Sequence, residues 1–270
     1  MNELFSVKGK VVVITGGTGV LGGVIAEYLA GERAKVVILG RKKDAGDAVL
    51  NKIKDQGNEA IFLQSDVLNK ESLIENRNEI LEKYGRLDAL INAAGGNMPG
   101  ATIAPAGTFF DLNIDDFDSV LRLNLTGTVL PTQIFLEPMV KQGKGSIINI
   151  TSMAAFRPMT RVAGYAAAKA GISNFTMYMA HETALKFGEG IRVNAIAPGF
   201  FITEQNRSLL TNPDGTFTER GKDVIRQTPF RRFGRPDELC GTAQYLISDA
   251  SSFVTGTVAV VDGGFNTFAM

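Results

Sequence analysis

The chain has no tryptophan, a single cysteine (Cys240) and a single histidine (His181) in 270 residues. One cysteine forms no internal disulfide, and one histidine forms no multi-histidine site, so no metal is expected. His181 falls within a helical stretch and reads as structural. Net charge is also missing. The 28 Lys and Arg balance the 28 Asp and Glu, leaving no basic field for nucleic acid or an anionic membrane. No apolar run approaches the roughly 18 residues needed to cross a bilayer. Residues 1–5 lack the basic segment and apolar stretch of a secretory leader. A soluble, cytoplasmic protein is expected, with neither nucleic acid nor membrane as partner. The remainder, 44% hydrophobic and 21% charged, describes an ordinary globule with a sizeable core.

Short β-branched runs alternate with longer helical stretches. Strands are expected at 11–15, 36–39, 60–63, 87–91, 147–150, 193–196 and 258–261, and helices at 20–30, 45–56 and 70–83. Seven apolar strands separated by helices predict an α/β protein, a parallel sheet covered on both faces. The right-handed crossover rule makes it doubly wound, a Rossmann arrangement with its ligand crevice at the strands' carboxyl ends. No repeat or linker divides the chain, so residues 1–270 form one domain. Residues 200–233 interrupt the rhythm with the turn signal Asn212-Pro213-Asp214-Gly215 and two expected short helices. An insertion above the crevice is where a substrate lid would sit; the alternative is a passive surface excursion.

Thr15-Gly16-Gly17-Thr18-Gly19-Val20-Leu21-Gly22 follows the first strand and opens the first helix. Glycines let the backbone approach a pyrophosphate, whose charge a helix N-terminus favours. Gly17, Gly19 and Gly22 fit G-x-G-x-x-G, a weak pattern made stronger by its strand–loop–helix setting. At the end of the second strand, Gly40-Arg41-Lys42 offers no carboxylate before Asp44. Arg41 and Lys42 suit a 2′-phosphate, so NADP is expected over NAD; a solvated helix start is the plainer alternative. Ser65-Asp66-Val67 and Asn92-Ala93-Ala94-Gly95 end the third and fourth strands. Asp66 could accept from an adenine amino group or cap the next helix.

Tyr165 and Lys169 stand four apart, and Ser152 lies thirteen positions before the tyrosine. Residues i and i+4 share a helix face, which sets the ammonium beside the phenol. A nearby cation is expected to favour the phenolate and lower its ordinary value of about 10. Ser152 could hold a substrate oxygen while Tyr165 exchanges the proton.

Together these residues resemble a short-chain dehydrogenase/reductase from about Gly9 to Gly264. The motifs are the glycine loop, Asn92-Ala93-Ala94-Gly95, Asn124 in Leu123-Asn124-Leu125-Thr126-Gly127, Ser152, Tyr165, Lys169 and Pro198-Gly199. The resemblance implies that Ser152 positions the reacting oxygen, Tyr165 is the acid/base, and Lys169 holds the nicotinamide ribose and tunes Tyr165. It implies that Asn124 anchors a relay water and that Thr203 meets the nicotinamide carboxamide. It also implies a homotetramer, with the Tyr165 helix and residues 116–135 packing between subunits. The small face at Ala166, Ala167, Ala168, Ala170 and Gly171 suits that packing or contact with the chain's own sheet. One departure is Val20, where the family's loop carries its middle glycine; backbone approach is then re-routed through Thr18 and Gly19.

Within the family, three stretches are similar to bacterial D-mannonate oxidoreductases, also called fructuronate reductases. They are residues 94–99, containing Gly96-Asn97-Met98-Pro99, residues 155–161, and residues 197–207. Met98 stands where histidine is expected. Gluconate 5-dehydrogenases and other keto-sugar-acid reductases are near neighbours.

The chemistry agrees with a sugar acid. No Asp or Glu occurs between Glu137 and Glu182, a stretch holding Ser152, Tyr165, Lys169, Arg157 and Arg161. Guanidinium pairs with carboxylate in a bidentate fork. Arg207, Gln205 and Asn206 could add bonds to a polyol, and Asn97 could meet the same substrate. Alternatively, Arg157 and Arg161 serve a subunit interface or a loop carbonyl. The other class of function is a non-catalytic dinucleotide-binding sensor, against which the intact Asn124/Ser152/Tyr165/Lys169 set argues.

Overall fold

The computed structural model describes residues 3–203 and 206–267. In chain order the main elements are β1 (Val11–Thr15), α1 (Val20–Gly31), β2 (Lys35–Gly40), α2 (Lys43–Asp55), β3 (Ala60–Gln64), α3 (Lys70–Tyr84), β4 (Ala89–Asn92), α4 (Ile114–Leu121) and α5 (Gly127–Gln142). They continue with β5 (Gly145–Ile150), α6 (Ala163–Phe187), β6 (Ile191–Pro198), α7 (Arg207–Leu210), α8 (Glu219–Gln227), α9 (Cys240–Ile247) and β7 (Val258–Val261).

All seven strands run parallel in the order β3-β2-β1-β4-β5-β6-β7. Strand alternation explains the two-sided core. Val12 and Ile14 of β1 pack with Ile25, Leu29, Val49 and Leu246 on one face. Val11 and Val13 pack with Leu73, Ile80, Phe135 and Met139 on the other. Every residue of β1 is buried, as expected for a strand covered on both sides. This is a single α/β domain of the Rossmann type.

Parallel strands place all their carboxyl ends on one edge, and chain order reverses between β1 and β4. The loops after Thr15, Asn92, Ile150 and Pro198 therefore converge there, at the topological switch point. A buried polar lattice fixes their relative heights. Asn92 Nδ2 donates to Asn149 Oδ1 and to Thr132 Oγ1, both at 2.9 Å. Asn149 Nδ2 then donates to Thr176 Oγ1 at 2.9 Å, so β4, β5, α5 and α6 are tied together.

Between α4 and α5 the chain makes one π-helical turn, Arg122–Thr126, carrying the fully buried Asn124. Beyond β6, residues 200–233 leave the sheet. They carry the two short helices α7 and α8 and a turn at 212–215 closed by Asn212 N to Thr216 O at 2.7 Å. The small-residue face of α6 meets its own chain: a Cβ at Gly164 would lie 2.9 Å from Phe117, and one at Gly171 would lie 3.4 Å from Leu125. Ala167 and Ala170 remain exposed.

Candidate active site

A cleft of about 370 Å³ runs from the glycine loop to α8. At its first end the backbone comes unusually close to itself. Gly16 adopts a φ of +63°, and any Cβ there would meet the Ala94 backbone at 2.7 Å. A Cβ on Gly22 would lie 2.5 Å from the Gly16 carbonyl oxygen. Gly16, Gly19 and Gly22 line the cleft with Val20 and Leu21. Gly17 instead faces the sheet, where a Cβ would press on Ile38 at 3.0 Å. The working spacing is thus Gly16-x-x-Gly19-x-x-Gly22, which accommodates Val20 without a middle glycine.

No side chain caps α1 at Gly19, so its first N–H groups stay available to an anion. Glycines without Cβ atoms, a helix start and the small residues Ala93 and Gly95 fit a dinucleotide. Gly199 also belongs to this floor: a Cβ there would meet Asp262 Cα at 2.6 Å. Pro198, Gly199 and Thr203 line the cleft opposite the glycine loop.

Other expected cofactor residues do not line this cleft. Thr18 turns toward Gly40, where a Cβ would lie 2.5 Å from Thr18 Cγ2 and 2.8 Å from its Oγ1. Arg41 and Lys42 are exposed beside that contact. Asp66 Oδ1 accepts from Leu68 N at 2.9 Å, so that oxygen shapes the approach to α3. Val67 is buried, and a Cβ on Gly127 would reach it at 2.9 Å. Asn92 spends its amide nitrogen on the polar lattice beneath the cleft.

At the other end, Ser152, Tyr165 and Lys169 line the cavity together. Ser152 follows β5, and Ala154 N donates to its Oγ at 3.2 Å. Lys169 Nζ lies 5.5 Å from the centre of the Tyr165 ring and donates to Ile150 O at 2.8 Å. Asn124 lies just behind. Its Nδ2 donates to Gly96 O at 2.7 Å and to Val120 O at 2.8 Å, while Gly96 N donates to its Oδ1 at 3.2 Å. Asn124 therefore clamps the loop after β4 to the π turn. A Cβ at Gly95 would come 2.6 Å from Asn124 Oδ1 and 3.4 Å from Lys169 Nζ; only glycine leaves that junction open.

The electrostatics differ from the sequence expectation. Burial pushes the Tyr165 phenol up, partly offset by a hydrogen bond from the Ser152 hydroxyl. Burial also pushes the Lys169 ammonium down to about 8. Two buried groups both disfavour their charged forms, and the Ile150 carbonyl accepts a hydrogen bond from the ammonium. The phenol is thus held protonated, the form that donates.

The arginines that sequence reasoning favoured point elsewhere. Arg157 donates through Nη1 to Phe265 O at 2.7 Å and lies over the Phe265 ring at 5.0 Å. It pins the C-terminal segment. Arg161, at a left-handed φ of 75°, donates from Nε to Ile103 O while Ile103 N donates to Arg161 O at 3.0 Å. Both therefore hold loop carbonyls, as the plainer alternative had it. Arg207 is exposed at the start of α7, outside the cleft lining. Gln205 lies outside the described residues.

Asn206 lines the cleft, with Oδ1 accepting from Thr203 N and Nδ2 donating to Phe201 O, both at 2.8 Å. Asn97 lines it too, its Nδ2 donating to Thr102 Oγ1 at 2.7 Å. Met153, Met159, Val162, Leu209 and Leu210 add apolar walls. Among the described residues no aspartate or glutamate lines the cleft, and its charged side chains are Lys169 and Arg220. From the sequence, residues 212–220 also resemble the lid of the D-mannonate oxidoreductases, but nothing in that stretch gives Arg220, 55 positions beyond Tyr165, a role.

Comparison with known proteins gives a consistent neighbourhood. The profile of the short chain dehydrogenase family matches residues 10–214. The chain is 46% identical over 274 residues to an uncharacterized oxidoreductase, UxuB, of Bacillus subtilis (strain 168), covering 98% of this chain and 97% of that one. A Haemophilus influenza protein provisionally assigned as a D-mannonate oxidoreductase, solved with bound NAD, is similar at TM-score 0.90 and 41% identity, covering 98% and 97% of the two chains. A gluconate 5-dehydrogenase of Burkholderia cenocepacia J2315, solved with NADP and tartrate, is similar at TM-score 0.86 and 32% identity, covering 99% of each.

Proposed function

The chain belongs to the short chain dehydrogenase family, and on that premise we propose that it reduces D-fructuronate to D-mannonate, preferring NADPH, in carbohydrate metabolism. It is an NAD(P)-dependent oxidoreductase. The finer reading rests on one observation above the others: a cleft with no carboxylate among its described lining residues and with Arg220 at its substrate end. Likeness to the provisional D-mannonate oxidoreductase supports the same choice. Gluconate 5-dehydrogenase activity is the alternative within this class, supported by the tartrate-bound relative.

In this reading Ser152 and Tyr165 receive the C5 ketone oxygen of the substrate. A dihydronicotinamide held by Ala93, Gly95, Pro198, Gly199 and Thr203 would supply the hydride to C5. Tyr165, held protonated by burial, gives its proton to the developing alkoxide. Ser152 keeps the oxygen within reach and stabilises the phenolate left behind. Lys169, fixed by the Ile150 carbonyl, meets the ribose and passes a replacement proton inward. Asn124 keeps the relay channel open by holding the Gly96 loop away from it. The reverse oxidation starts from phenolate, so it requires alkaline conditions.

Gly16, Gly19, Val20 and Leu21 would hold the pyrophosphate, Asp66 and Val67 the adenine, and Ala93, Gly95, Pro198, Gly199 and Thr203 the nicotinamide half. Arg41 and Lys42 would face the 2′-phosphate. A preference for NADP over NAD is supported by the Thr18–Gly40 contact, since a carboxylate-bearing side chain at position 40 has no space. Residues 200–233 would act as the substrate lid. Exposed Met177, Tyr178, Leu185, Phe253 and Val260 support a homotetramer. A cytoplasmic setting belongs to this reading and suits a buried free thiol, Cys240, pushed up to about 11 mainly by burial.

The test is product identification: D-fructuronate with NADPH should yield D-mannonate in step with cofactor oxidation. Absence of turnover on D-fructuronate, with turnover of another keto acid, would move the assignment within the class.

A further inference from the structure

Arg220, the second residue of α8, lies within residues 200–233 and reaches the rim of the cleft. Its only hydrogen bond among the described residues is from Nη1 to Thr160 Oγ1 at 3.2 Å. A guanidinium carries five N–H donors, so most of this fork is uncommitted. The carboxylates of its own helix are spoken for: Glu219 pairs with Lys222 at 2.7 Å, and Asp223 pairs with Arg226.

A second cation faces it. Partial burial and then the charge of Arg161 hold the Arg220 guanidinium below its ordinary value, opposed by Asp223. The charge of Arg161 outweighs that of Asp223 at this guanidinium, so the local positive potential is only partly balanced. An arriving anion would relieve it, and the cleft offers no carboxylate of its own among the described residues.

We propose that Arg220 is the residue that recognises the substrate carboxylate, in a bidentate pair made as α8 settles over the cleft. The proposal deepens the sugar-acid reading and rests on it for the identity of the substrate, though not for the chemistry of the site. Arg161 holds the Ile103 carbonyl through its Nε and does not line the cleft, whereas Arg220 does. Ser152 and Tyr165 take the ketone oxygen at one end of the sugar chain, while Arg220 takes the acid at the other. Apolar Met159 and Val162 line the same cleft and lower the local dielectric, which strengthens an ion pair there. The Thr160 bond occupies one N–H of the fork and leaves the others free for the carboxylate.

The test uses the whole enzyme in the wild-type form and as Arg220→Gln, Arg220→Lys and Thr160→Val. Two quantities are read: kcat/KM for D-fructuronate relative to D-fructose, which has CH2OH in place of the carboxylate, and calorimetric binding of D-mannonate and D-gluconate to enzyme saturated with NADP. Arg220→Gln should lower the acid-over-neutral ratio by about ten- to a hundredfold and weaken aldonate binding in parallel, as loss of a charge-assisted fork requires. Arg220→Lys should recover part of both, and Thr160→Val should keep the ratio within about threefold. If Thr160→Val reproduces Arg220→Gln, the arginine is only a latch and the proposal falls. Equal aldonate binding in wild type and Arg220→Gln also overturns it, whatever the turnover. Arg220-dependent aldonate binding without turnover of any sugar acid would instead sustain this proposal and sink the proposed activity.

Discussion

The two ends of the cleft are built by different rules. At the cofactor end the contacts are backbone to backbone: Gly16 against Ala94, Gly22 against the Gly16 carbonyl, Gly199 against Asp262. At the substrate end the contacts are made by side chains: Arg220 to Thr160 across the chain, and Asn206 to Phe201 and Thr218 to Leu209 within residues 200–233. Backbone contacts tolerate almost no change, whereas helices with few buried residues can shift. Only Gly221 and Val224 of α8 are buried. The difference teaches that one end fixes how hydride is delivered while the other selects what receives it.

The largest expected effect falls where the two ends meet. Tyr165→Phe keeps the ring but removes the proton, so turnover should fall by about 10²–10⁴-fold, the usual contribution of a positioned acid. Cofactor affinity, read by NADPH fluorescence, should stay within about threefold. Because burial raises the phenol, wild-type oxidation of the alcohol should climb steadily as pH rises toward and beyond 10. An oxidation profile levelling off below pH 8 would contradict that sign. Reduction should stay flat over neutral pH, since the protonated phenol is the active form throughout.

Next in size is a break confined to the cofactor end. Gly22→Ala places a Cβ 2.5 Å from the Gly16 carbonyl, so the loop must shift. Cofactor Kd should rise by about tenfold or more, in line with overpacking of about 1–3 kcal/mol. KM for the keto acid at saturating cofactor should move far less. Equal losses at both ends would dissolve the comparison.

Cofactor choice sharpens the comparison further. Gly40→Asp alone strikes Thr18, so it should weaken NADPH without improving NADH. Thr18→Ala combined with Gly40→Asp removes both clashing Thr18 atoms and should swing the kcat/KM ratio toward NADH by about tenfold. Were the single substitution to switch preference by itself, the contact would not be a barrier.

The smallest effect belongs to the lid. Thr218 caps α8, accepting from Gly221 N at 3.1 Å, and donates to Leu209 O at 2.7 Å. Thr218→Ala should cost about 1 kcal/mol of local helix stability, read as a few-fold rise in KM for the keto acid with cofactor Kd unchanged.

The same contrast explains what could be read from the sequence. Strand runs such as Val11–Thr15 and the switch-point loops were legible because apolar patterning and glycine spacing report on backbone directly. Ser152, Tyr165 and Lys169 were legible as a constellation at fixed spacing. For Arg157 and Arg161, proximity along the chain to Tyr165 says nothing of rotamer, and each guanidinium spends a donor on a loop carbonyl, of Phe265 and Ile103. Arg220 stayed hidden because only folding of residues 200–233 over the sheet brings it back to the site. For Tyr165, spacing gives the neighbour, Lys169, but not the burial that pushes the phenol up.

The most direct measurement is the ratio of kcat/KM for D-fructuronate to that for D-fructose, determined on the wild-type enzyme with NADPH. An acid-selecting substrate end joined to a generic hydride-delivering end predicts a ratio of about 100 or more, the value of a fully formed charge-assisted pair at roughly 1.4 kcal/mol per tenfold. A ratio near one, with both substrates turned over, would contradict it.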